Sequence, residues 1–67
     1  MIGKTLKDLR VNYGYKQDWV ASEMRITQGY LSRIENERIA PPLNMLERFA
    51  KFYGKSSPEI AIINLFK

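Results

Sequence analysis

Gln28, Gly29, Ser32 and Arg33, with Asn36 and Arg38 just beyond, place amide, hydroxyl and guanidinium groups along one side of a short stretch. That side has little bulk and no carboxylate. Such groups suit the edges of base pairs: Asn and Gln pair bidentately with adenine, and Arg with guanine, in a major groove. Catalytic chemistry has no comparable set. The chain contains no Cys and no His, which removes the commonest general base and the commonest metal ligand together. Ser22 and Ser32 have no evident activating base. The acids Asp8, Asp18, Glu23, Glu37, Glu47 and Glu59 are dispersed, and Gly3, Gly14, Gly29 and Gly54 lie too far apart for a phosphate loop. The residues point to binding rather than to an enzyme, and no cofactor or metal is expected.

Two short helices must carry that face. Gln17 to Met24 forms one, with Val20, Ala21 and Met24 as its apolar edge, and Gln28 to Asn36 the other, with Leu31 and Ile34. Between them Met24-Arg25-Ile26-Thr27 makes the break. Thr27 is a good N-cap, because its hydroxyl can accept from an orphan N–H of the following turn. Arg25 falls where the chain reverses; Gly would be easier there if φ is positive, and an Arg carries about 1 kcal/mol of strain. Lys16 is a poor N-cap for the earlier helix, while Asp18 suits its positive end. Residues 17–36 therefore read as a DNA-facing helix-turn-helix. The backbone N–H of Gln17 is the kind of anion site that helix ends provide. Trp19 reads as a lid over the core in preference to a DNA role.

The remaining elements brace this pair. Ile2, Leu6, Leu9 and Tyr13 form one stripe of a first helix, about Ile2 to Asn12, ended by Gly14. Arg10 lies inside the stripe, and a charge there needs a partner. Glu35 sits at the inner edge of the helix that carries the reading face. An Arg10–Glu35 ion pair would tie the two together and fix the pose of that helix more than it adds stability; the alternative is that both snorkel to solvent. After the loop Asn36 to Pro42, Pro42 suits a first helical position, and Leu43, Leu46, Phe49, Ala50 and Tyr53 give a fourth stripe ended by Gly54. Ser57-Pro58 then opens a fifth helix to about residue 66. Ile60, Ile62, Ile63, Leu65 and Phe66 make it apolar nearly all round, so the surplus side is expected to meet the same helix of a second copy in a homodimer. The alternative is that it wraps into its own core.

With 67 residues the chain makes one small domain over 1–67. Such a chain hides only about 60% of its unfolded surface. The 11 Lys and Arg against 7 Asp and Glu leave a net charge of +4, which fits a polyanionic partner. No apolar run approaches the roughly 20 residues of a membrane span, and MIGKTLKDLR lacks the apolar core of a signal peptide. A cytoplasmic place is expected, consistent with the lack of Cys.

These features coincide with a known family. IGKTLKDLR in the first helix, Gln17 opening the second, Val20-Ala21 within it, Ile26-Thr27 at the turn, LSRIEN ending the third and Pro41 beyond resemble the Cro/C1-type (XRE-like) helix-turn-helix domains of phage repressors and bacterial regulators. The resemblance runs from Ile2 to Ile60. It implies an all-α, compact five-helix domain of lambda-repressor type that binds operator DNA as a dimer. It implies base contact from Gln28, Gly29, Ser32 and Arg33, and phosphate contact from Gln17, Asn36 and Arg38. It also supports the Arg10–Glu35 pair, which has a counterpart in some phage repressors. Arg25 stands where the family often has Gly, Glu37 where a Gly often follows the Asn, and Lys16 where Ser is usual. Gly29 is bare where many members carry a reading side chain. Tyr30 either leans toward the DNA backbone or packs in the core. A protein-interaction role, as in antitoxins or accessory subunits of this fold, is the rival expectation.

Overall fold

The structure is a computed structural model and describes residues 2–55 and 58–60. Its four complete helices are α1 (Ile2–Asn12), α2 (Gln17–Met24), α3 (Gln28–Glu35) and α4 (Leu43–Phe52). A helical turn follows at 58–60. The fold is all-α, as the spacing of apolar residues requires, and the helix limits match the expected ones to within a residue.

Each helix contributes the apolar edge its period dictates. Leu6 of α1, Val20, Ala21 and Met24 of α2, Leu31 and Ile34 of α3, and Phe49 and Ala50 of α4 join Tyr53 and Ile60 in one core. Burying a side chain of the Val, Leu, Ile or Phe class stabilises the fold by about 1.5–3 kcal/mol. Such a core is enough to hold four short helices that would be marginal alone.

Two helix approaches matter for the reading face. The first is α1 against the C-terminal end of α3, made possible by Gly3. A Cβ at Gly3 would lie 2.1 Å from the Ile34 carbonyl oxygen and 2.9 Å from Glu37 Cγ. Backbone thus touches backbone there. The second is α2 against α4. Arg48 of α4 donates Nη2 to the Met24 carbonyl, which lies in the last turn of α2 and has no partner within the helix.

Three expectations need correction. Leu43 is not a core residue; it is 70% exposed. The α4 stripe sinks progressively, from exposed Leu43 through half-buried Leu46 to buried Phe49, because the first turn overhangs the body of the domain. Tyr13 is 45% exposed; it lies just past the end of α1, where its hydroxyl donates to the Tyr53 carbonyl at 3.0 Å. Ile60 is wholly buried in its own subunit and so is not part of a face left over for a second copy. Of the other residues expected there, Ile62, Ile63, Leu65 and Phe66 lie outside the described residues, as does the Ser57 cap.

Candidate nucleic-acid interface

The turn between α2 and α3 is built as its residue types demand. Thr27 takes an extended conformation (φ −75°, ψ 152°), and its hydroxyl accepts from the Tyr30 N–H at 3.0 Å. Arg25 closes α2 in the left-handed region (φ 58°, ψ 42°). The Arg25 N–H then reaches the Ser22 carbonyl at 3.1 Å, and the Ile26 N–H the Ala21 carbonyl at 3.0 Å. The tight reversal exposes one side of α3 while Leu31 and Ile34 hold the other side inward.

The ion pair expected from periodicity is present. Arg10 Nε donates to Glu35 Oε2 at 2.8 Å, and Arg10 Nη2 donates to Glu35 Oε1 at 3.1 Å. The side chains are 12% and 1% exposed respectively, so neither snorkels. Arg10 Nη1 also donates to the Tyr15 carbonyl at 3.0 Å. The pair therefore ties α1 to α3 and also holds the turn that leads into α2.

The pair continues outward as a relay. Gln17 Nε2 donates to Glu35 Oε1 at 3.1 Å, and Gln17 Oε1 accepts from Gln28 Nε2 at 3.2 Å. Gln28 thus stands in solvent with its amide orientation set from the interior. One N–H of that amide is taken by Gln17; its oxygen and the second N–H are left. An acceptor beside a donor is the pattern that pairs with adenine N6 and N7. The relay also removes the one carboxylate of α3 from the reading face, since Glu35 is turned inward and covered by Arg10 and Gln17.

The other candidate residues fall into two groups. Gln28, Gly29, Arg33, Asn36 and Arg38 are exposed, and Ser32 is half-buried beside them. Ser32 and Asn36 are coupled: Asn36 Nδ2 donates to the Ser32 carbonyl at 2.9 Å and to Ser32 Oγ at 3.2 Å. The Asn36 amide is thereby folded back onto Ser32, whose hydroxyl accepts from it and can still donate outward. Arg38 lies beyond α3, and its N–H accepts the role of a C-terminal cap by donating to the Arg33 carbonyl at 2.9 Å. Glu37, where Gly would be easier, sits at φ 62°.

At the start of α2, Lys16 supplies no side-chain cap. The first N–H groups of that helix are left for a ligand or solvent. The Gln17 side chain, by contrast, is engaged inside the relay. Tyr30 is half-buried and packs against the core. Trp19, 45% exposed, lies 4.8 Å from the Tyr15 ring and 6.1 Å from Phe52. It half-covers an aromatic cluster, as a lid does.

Sequence spacing did not show the Gln17–Gln28 bond, because the two lie eleven positions apart across a turn. Arg48 was likewise missed. Its only signal was a cation on the helix that packs against the end of α2.

Two helices joined by this turn, the second with a polar outer face, define a helix-turn-helix protein. A helix-turn-helix family model matches residues 6–60. The chain belongs to the Cro/C1-type helix-turn-helix family and is, at the level of that family, a DNA-binding regulator. No curated protein matches it. Among the described residues no helix is long and apolar enough to cross a membrane.

Proposed function

We propose that the protein is a transcriptional repressor that binds a two-fold symmetric operator in double-stranded DNA as a homodimer in the cytoplasm. The observation that carries this reading is the orientation of the Gln28 amide by Gln17, with Glu35 neutralised behind it. A side chain fixed before binding loses less entropy when it pairs with a base. Gln28 then reads adenine, Arg33 reads guanine, and Ser32 donates from the hydroxyl that Asn36 holds.

Grip on the duplex comes from groups that do not discriminate sequence. Arg38 and the N–H groups opening α2 at Gln17 meet phosphates, the latter helped by the helix dipole. Asn36, exposed just past the end of α3, adds a further phosphate contact and also holds Ser32. Homodimerisation rests on the apolar sequence after Ile60, where Ile62, Ile63, Leu65 and Phe66 stand. A two-fold dimer would place its reading helices about 34 Å apart, one turn of DNA.

Binding of Arg33→Ala and Arg38→Ala to specific and random duplexes tests the division of labour. Arg33→Ala is expected to relax specificity at one base pair per half-site. Arg38→Ala is expected to weaken all sequences alike and to lower the salt slope by about one. Equal losses on both kinds of DNA for both variants would contradict the assignment.

A further inference from the structure

Gly29 has no turn to make. It is the second residue of α3, and its φ is not positive, unlike that of Gly14 and Gly54. Glycine is a poorer helix former than alanine, so at this position it does nothing to favour the helix on which the reading face depends. No packing requirement explains it. A Cβ built at Gly29 would meet one atom within 4 Å, and that atom is Nη1 of Arg33, at 3.7 Å. Everything else around it is open.

The neighbour is informative. The Arg33 side chain is exposed and makes no hydrogen bond or ion pair among the described residues, so no carboxylate draws it toward Gly29. The position follows from helix geometry. Side chains of a helix lean toward its N-terminus and cover the turn before their own Cα. Residues 29 and 33 are one such pair, four apart. The Arg33 guanidinium therefore lies over the bare backbone of Gly29, about one turn (5.4 Å) N-terminal of its own Cα. That brings it level with Gly29, one position along the helix from Gln28.

We infer that Gly29 is a specificity-determining residue: its missing side chain lets Arg33 read a base pair next to the one read by Gln28. This rests on the proposed function and adds the placement of its guanine contact. The two long readers converge on adjacent pairs, and the half-site carries adenine beside guanine. A longer side chain at position 29 would occupy the guanidinium's place and push Arg33 toward its own level, away from that guanine. A single methyl group would not, since 3.7 Å is an ordinary contact distance.

The experiment measures wild-type protein, Gly29→Ala and Gly29→Gln against duplexes in which each base pair of the wild-type half-site is changed in turn. Both substitutions replace glycine by better helix formers at an open site, and thermal melting is expected to show folding retained or improved. Gly29→Ala is expected to keep the wild-type preference for the guanine adjacent to the Gln28 adenine. Gly29→Gln is expected to lose that preference by roughly tenfold or more, the scale of one bidentate contact, while the adenine preference stays. The inference is overturned if Gly29→Gln keeps the guanine preference, or if Gly29→Ala already loses it. A wild-type protein that binds no sequence preferentially would instead remove the proposed function itself, which separates the two failures.

Discussion

Arg10 and Glu35, 25 positions apart in the chain, meet through two hydrogen bonds of 2.8 and 3.1 Å in the interior between α1 and α3. Their carboxylate is also the inner anchor of Gln17 and, through it, of Gln28. A structural ion pair and a base-reading amide are thus parts of one hydrogen-bonded path.

Breaking that path from its inner end should cost both stability and recognition. Arg10→Met leaves the buried Glu35 carboxylate without its counter-charge, and removing one partner of a buried pair costs about 3–5 kcal/mol. Urea denaturation should show a loss of that size. Glu35→Gln keeps the shape and an acceptor, so a smaller loss is expected. Thermal stability left unchanged by both would make the pair unimportant.

Gly3 should tolerate no side chain. Alanine would gain about 1 kcal/mol in helix propensity, but its Cβ would sit 2.1 Å from the Ile34 carbonyl oxygen. Backbone cannot swing aside as a flexible side chain does, so α1 must lift off α3. Overpacking of this kind costs about 1–3 kcal/mol, and sterics outweigh propensity. Gly3→Ala is expected to lower the melting temperature, and an unchanged value would mean that the close approach does not exist.

Arg25 offers the opposite change. It occupies the left-handed region at φ 58°, where glycine pays no steric penalty. Arg25→Gly is expected to stabilise the domain by about 1 kcal/mol, the low end of the cost of such a conformation, seen as a higher urea midpoint with an unchanged slope.

Tyr53 gives a pH dependence. Its side chain is buried, and its hydroxyl has no hydrogen-bond partner among the described residues. Burial first, and then the negative charge of Glu35, push that hydroxyl well above its ordinary value of 10.0. In the unfolded chain the same group ionises near its ordinary value. Stability is therefore complete below that pH and falls as pH rises beyond it, because the unfolded form releases a proton that the folded form keeps. Tyr53→Phe should lessen the alkaline loss. At neutral pH it should be neutral to about 1 kcal/mol stabilising, since an unsatisfied buried hydroxyl is removed. Equal alkaline unfolding of both proteins would contradict this.

Much of this structure could be read from residue types and local spacing. Apolar periods located the four helices, Thr27 announced its cap, Arg25 its left-handed turn, and Arg10 and Glu35 each other. What spacing could not convey was distance in three dimensions. Leu43 fits the α4 stripe but overhangs the body, because period tells which side faces inward and not how far the core extends. Ile60 belongs to an apolar helix start that the all-round pattern assigns to a partner copy, whereas it is buried in its own core. The Gln17–Gln28 bond and the return of Asn36 onto Ser32 depend on side-chain torsions, which leave no trace in sequence. Arg33 over Gly29 lies between these cases: the four-residue interval was visible, but its consequence needed the bare backbone to be seen beneath the guanidinium.

The most direct test of DNA reading by the outer face of α3 is selection of sequences bound by the wild-type protein from random duplex DNA. The account predicts a two-fold symmetric motif, its half-sites about 10 base pairs apart centre to centre, each containing adjacent adenine and guanine positions. Recovery of duplexes with no shared motif, bound no better than the starting pool, would contradict it.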